Sequence, residues 1–219
     1  MEHDPANRYQ SIKELRDDFQ LLTRSPEKFE EPVKQAEELL NQILSGTDAA
    51  VKLQELDELF RANQDDEVFY TNLFPRLPRV IIEQYHATLK HRFFERLRKF
   101  DEHVSGSLPF SYTDVVADFY EMVYSIVTDM DVKRLILVRV LDMGLSHNRF
   151  HVGNVFASIL QSIKSQEEAL LAREVLKQNP QGALWCEDAC KSGQVLPAIR
   201  EAFDECISKT PGPPAPPIP

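Results

Sequence analysis

The sequence predicts an all-α fold: antiparallel helical hairpins forming a bundle or a short HEAT- or armadillo-like solenoid. Three observations lead there. Apolar residues recur three and four positions apart almost throughout, the period of one face of a helix. Helix breakers are scarce between the ends, with 7 glycines in 219 residues and 6 of the 14 prolines in the last nine positions. The one stretch rich in β-formers, Val132 to Leu141, is flanked by helical periods and reads as a fully buried helix.

The elements follow in order. Ile12, Leu15, Phe19 and Leu22 mark a helix over 11–22. A second spans Pro32 to Leu44, with Gly46 where a C-terminal cap is wanted. Thr47 or Asp48 caps a third, which buries Val51, Leu53, Leu56, Leu59 and Phe60. A short fourth runs from Asp66 to Phe74 against Pro75. Pro78 then opens the longest helix, reaching about His103, with Ile82, Tyr85, Leu89, Phe93, Leu97 and Phe100 as its stripe. Thr113 starts the next; Asp131 starts another that Gly144 is expected to terminate. Phe150 to Ile163, Gln166 to Lys177 and Leu196 to Ile207 complete about nine to eleven helices. Short connections favour antiparallel neighbours. The organisation expected is an N-terminal helical segment over 1–24, an all-helical interaction domain over 25–209, and a disordered Pro-rich tail over 210–219.

Composition narrows the function classes. Lys plus Arg is 25 against 35 for Asp plus Glu, a formal net charge of −10. That balance argues against nucleic acid, whose binding rests on a surplus of cations facing phosphates. Apolar runs such as Leu135 to Val138 fall far short of the roughly 20 residues of a membrane span. The first ten residues are polar, without the features of a signal peptide, and three cysteines make no disulfide framework. The expectation is a cytoplasmic protein, the nucleus left open, with no membrane and no cofactor.

Candidate chemistry is thin. His147 and His151 stand four apart, and so do Cys186 and Cys190; together they would make a Cys₂His₂ set. Asn148 stands where a zinc protease needs its glutamate, and the cysteine spacing fits a zinc knuckle only loosely. Core residues on helices are the simpler reading, so no metal ligand is assigned. Asp142, Ser146 and His147 are neighbours in the chain, but a triad is defined in space, and no Gly-x-Ser-x-Gly elbow occurs. No catalytic residue is assigned either. The basic, aromatic stretch from His91 to Phe100 divides into a buried stripe and a wet face of Arg92, Arg96 and Lys99, paired with acidic neighbours or a partner. The Pro-x-x-Pro spacings of the tail lack the basic residue in register that SH3 ligands carry.

His3-Asp4-Pro5-Ala6-Asn7-Arg8-Tyr9-Gln10-Ser11-Ile12-Lys13-Glu14-Leu15 resembles the closing segment of a protein kinase catalytic domain, and the likeness covers residues 3–22 only. In that family the arginine matching Arg8 pairs with a glutamate far upstream. The Gly-rich loop, the His-Arg-Asp loop and the Asp-Phe-Gly motif are missing from this sequence. The resemblance therefore implies a regulatory C-terminal region of a kinase-like protein, without phosphoryl transfer of its own.

The first functional expectation is a non-enzymatic helical adaptor, scaffold or complex subunit that binds protein partners. Aromatic residues that break the stripe of their own helix are its candidate contacts: Phe69, Tyr70, Phe94, Phe110, Tyr112 and Trp185.

Overall fold

A computed structural model describes residues 30–46, 48–105, 112–147, 149–191 and 194–209. Among them are eleven α-helices and no strand. The helix expected over 11–22, the kinase-like segment and the Pro-rich tail lie outside the described residues. The chain divides after Val127 into two compact units.

Unit 1 holds α1 (Glu30–Leu44), α2 (Ala49–Ala62), α3 (Glu67–Leu73), a 3-10 turn (Phe74–Arg76), α4 (Arg79–Thr88), α5 (Lys90–Val104) and α6 (Thr113–Ile126). Helices meet beyond their chain neighbours, α1 with α3 and α4, and α2 with α5, as in a bundle. Gly46 takes the left-handed backbone (φ 79°) that a helix C-terminal cap uses. Asp48 precedes α2 with φ 49°, and its side chain makes no capping bond; its carbonyl accepts from Val51 and Lys52 instead. Val51, expected inside, is exposed, because the buried side of α2 is Leu53, Leu56, Asp57 and Phe60, and a residue two positions before Leu53 points away. Asp66 does cap α3, its Oδ1 accepting from the Phe69 amide at 3.0 Å.

The long helix expected from Pro78 to His103 is two helices, broken at Leu89 (φ −130°, ψ 40°). Hydrogen bonding survives the break: the Leu89 amide donates to Tyr85 and its carbonyl accepts from Phe93. Next to the break, Thr88 Oγ1 donates to the Gln84 carbonyl, a side-chain bond of the kind that competes with the helix ladder. The stripe stays in register across the break, with Ile82 and Tyr85 on α4 and Phe93, Leu97 and Phe100 on α5 all buried. Phe74 sits among the rings, with Phe60, Phe119 and Phe100 centroids at 5.3, 5.4 and 5.5 Å. Each such pair adds about 0.5–1.5 kcal/mol beyond burial.

Unit 2 holds α7 (Met130–His147), α8 (Phe150–Ser162), α9 (Gln166–Gln178), α10 (Pro180–Lys191) and α11 (Pro197–Lys209). The β-rich stretch is helical, as the flanking periods require, but Val138 reaches solvent, so α7 is not buried on every side. Gly144 does not end α7; the helix continues to His147. The reason is steric. A Cβ on Gly144 would fall 2.2 Å from the Trp185 ring, and one on Gly153 of α8 would fall 3.1 Å from it. The two glycines form the notch into which the indole of α10 fits.

Helix α10 was not anticipated from periodicity. Its start is nonetheless written in Asn179-Pro180: Asn179 Oδ1 accepts from the Gly182 amide at 3.1 Å, and proline occupies the first helical position, where its missing N–H costs nothing.

Replacing a helical glycine by alanine stabilises a helix by roughly 0.5–1 kcal/mol through backbone entropy. At Gly144 the sign should reverse, because the new methyl overlaps the Trp185 ring. Gly144→Ala is expected to lower the stability of unit 2 by about 1–3 kcal/mol, read as an earlier denaturant midpoint of tryptophan fluorescence. An unchanged or later midpoint would contradict the notch.

Candidate functional site

The helical period of α2 brings a carboxylate inside. Asp57 follows Leu56 and precedes Phe60 by three residues, so it shares their buried side and is 1 % exposed. A carboxylate taken out of water needs donors, and three converge on it. Tyr85 Oη of α4 donates to Oδ1. Arg96 Nε of α5 donates to the same oxygen at 3.1 Å, and Arg92 Nη1, one turn earlier on α5, donates to Oδ2 at 3.2 Å.

A shallow depression of about 140 Å³ opens above this centre, lined by Asp57, Glu58, Arg61, Arg92, Glu95 and Arg96. Three carboxylates face three guanidinium groups there, so the local charge is balanced. Arg92 is half-exposed, whereas Arg96 is buried against Asp57. The reading of Arg92, Arg96 and Lys99 as one wet face therefore needs correction. Arg96 lies inside because the stripe of α5 is wide, taking in Phe93, Phe94, Arg96 and Leu97. Lys99 does meet acidic neighbours, Asp65 at 3.4 Å and Glu102 at 3.1 Å.

Protons here are held tightly. Burial, followed by the bond to Asp57, pushes the Tyr85 phenol far above its ordinary value of 10.0. Burial raises Tyr70 to about 12, with the adjacent Arg96 guanidinium acting the other way. The Tyr70 hydroxyl is enclosed beside Arg96 without reaching hydrogen-bond geometry. Guanidinium groups do not give up a proton in proteins, and Asp57 is occupied by its donors. What these groups do together is lock α2, α4 and α5 in one arrangement and present a rim of fixed charges.

The aromatic candidates are placed as follows. Phe69 and Tyr70 lie in the interior of unit 1, packed against Phe60, and Phe94 is buried beside His86 and under Lys90. These three serve the core and offer no surface to a partner. A seven-residue helix such as α3 is enclosed on more than one side, so adjacent residues are both inside and stripe-breaking ceases to signal exposure. Tyr112 is half-buried, its hydroxyl donating to the Thr71 carbonyl, and burial raises its phenol. Trp185 is half-buried in the glycine notch. Phe110 lies outside the described residues.

Sequence reasoning missed Phe150. It is the first residue of α8 and 86 % exposed, the most exposed large apolar side chain among the described residues. Its position ahead of the stripe that begins at Val152 was the available signal. His151 is exposed on the same helix, while the His147 side chain is outside the described residues. Among the described residues no group of three or more His, Cys, Asp or Glu side chains gathers in a way that could hold a metal ion. No helix among the described residues is long and apolar enough to cross a membrane.

Compared with models of protein families, with curated proteins and with solved structures, the chain matches none.

Asp57→Asn removes the buried carboxylate that Arg96 pairs with, leaving it only the half-exposed Glu95 at 3.6 Å, and is expected to cost about 3–5 kcal/mol, measured by urea unfolding. Arg92→Met, on the half-exposed arm of the same pair, should cost no more than about 1 kcal/mol. Equal effects of the two would refute the inequality between the arms.

The buried phenols predict an alkaline instability. Their folded pKa values lie above the ordinary 10.0, so the stability they contribute is complete below that pH and is lost as pH climbs toward and past about 12. Absorbance at the phenolate band should therefore rise in step with unfolding for Tyr70 and Tyr85. Normal titration of all six tyrosines in folded protein would contradict this.

Proposed function

We propose that this chain is a non-enzymatic, partner-binding helical protein, an adaptor or a subunit of a larger assembly, and that unit 2 carries a contact surface for a protein partner. The observation supporting it is Phe150. A phenylalanine left 86 % exposed at the start of α8 forgoes about 1.5–3 kcal/mol that burial would return, and exposed aromatic anchors of this kind typify the centres of protein interfaces. Its position at the head of a 13-residue helix gives it a rigid mounting. The acidic balance of 25 against 35 favours a protein partner over nucleic acid. The charged rim around Arg61 and Glu58 in unit 1 fits the same role, since polar groups at a contact set orientation more than affinity.

A second reading, a regulatory region of a kinase-like protein, is favoured by the Asp4-Pro5 and Arg8 pattern. Under it, the reading frame upstream in the genome encodes the missing lobes.

The test is affinity purification of the full chain followed by mass spectrometry, with Phe150→Ala alongside. The expected outcome is a partner present in near-stoichiometric amount with the unmodified chain and reduced at least tenfold with the variant, both having the same helical circular dichroism. A partner set indifferent to Phe150 would remove the assignment of this surface.

A further inference from the structure

Building on the reading of Phe150 as a partner contact, we infer that the partner meets it with an acidic segment: apolar side chains seat the ring, and carboxylates face the positive charge around the head of α8. Asp and Glu are spread along the chain, 35 of them in 219 residues, yet none occurs between Asp142 and Glu167, the longest such gap. That interval contains Arg149 and His151, and Phe150 stands between them. In a protein of net charge −10, the bare aromatic residue sits in the stretch that carries no acid.

The helix itself adds to the charge. Arg149 occupies the N-cap position of α8 in extended backbone (φ −92°, ψ 119°); no side-chain capping bond forms, and no acidic residue lies in the first turn. The Gly153 amide donates to the Arg149 carbonyl at 3.1 Å, so the amides of Phe150, His151 and Val152 precede the first bond of the helix ladder. The partial positive charge of the helix N-terminus is therefore added to that of Arg149, with no carboxylate of α8 to offset it. Arg149 and His151 have interactions of their own, so what they offer a partner is field more than spare donors.

The apolar part extends beyond one ring. Gly153 follows Phe150 by three residues and shares its side of the helix. The indole of Trp185 lies against Gly153, where a Cβ would fall 3.1 Å from it, and the indole is itself half-exposed. The two aromatic residues are thus about one helical turn apart. Large rings of this kind supply most of the affinity of an interface, and the charges around them choose the partner. A basic segment would meet like charge here, and an acidic one its complement.

The experiment selects a phage-displayed library of random peptides on the full chain, then titrates the enriched peptides against it while following Trp185 emission. The expected peptides combine aromatic or aliphatic residues with net negative charge, and their binding weakens as salt is added. Phe150→Ala should lower their affinity about tenfold. His151→Glu places an acid in the first turn of α8, which a helix N-terminus favours, so helical circular dichroism is retained while affinity for the same peptides falls severalfold. Enriched peptides that require Phe150 but are neutral or basic, or an affinity unchanged by His151→Glu, would overturn the acidic partner and leave the Phe150 surface standing. Peptides that bind Phe150→Ala as well as the unmodified chain would remove both. Self-association of the chain through Phe150 in sedimentation, or Phe150-dependent binding to phosphatidylserine vesicles with no peptide enriched, would assign another occupant and overturn the inference as well. Should His151→Glu fail to fold, the charge of the enriched peptides and their salt dependence on the unmodified chain decide.

Discussion

The arrangement of unit 1 depends on one buried carboxylate. Asp57 occupies a position that its helix turns inward, and leaving it there without donors would cost several kcal/mol. Supplying them obliges α4 to bring Tyr85 and α5 to bring Arg96 to the same oxygen. This requirement fixes α2 against the consecutive helices α4 and α5, whose contributing residues lie 28 to 39 positions further along the chain. The aromatic residues around Phe74 then fill the space that the clamp defines, since rings pack well over a range of tilts. The clamp selects the arrangement and the rings contribute most of the cohesion, because buried ion pairs generally do little better than break even.

Unit 2 reaches order by another route. Its interior is mostly aliphatic, with Phe156 and Phe203 the buried rings, and the fit of Trp185 against Gly144 and Gly153 supplies the shape that fixes α10 against α7 and α8. Polar contributions lie toward the outside, as in Arg173 with Glu201 and Glu205 between α9 and α11. These half-exposed pairs contribute little each. They do set which way the two helices align.

Much of the secondary structure was legible in the sequence, because the three-and-four spacing of apolar residues is a local signal. Of the stripe read from Ile82 to Phe100, each member except Leu89 is buried, though its full width, which also takes in Ile81, Phe94 and Arg96, was not read. The break within it was not read, since the residues around Leu89 include neither glycine nor proline to punctuate the period. Gly144 was misread for a related reason. As punctuation a glycine suggests an end, but its use here depends on Trp185, 41 residues further on. Candidate contacts fared worst. Whether an aromatic residue faces solvent is decided largely by what other helices cover: Phe69 is enclosed although it breaks a local stripe, and the one local hint for the bare Phe150 is its place ahead of the stripe that begins at Val152. The Asp57 centre was invisible for the same reason: its partners lie 28, 35 and 39 residues away.

The distribution of chromophores has a practical consequence. All five described tyrosines, Tyr70, Tyr85, Tyr112, Tyr120 and Tyr124, belong to unit 1, and the sole indole belongs to unit 2. Nature has in effect colour-coded the halves. Ultraviolet difference spectra at two wavelengths separate the melting of one from that of the other without dyes or labels, so their thermodynamic coupling becomes a directly measurable quantity in the native polypeptide.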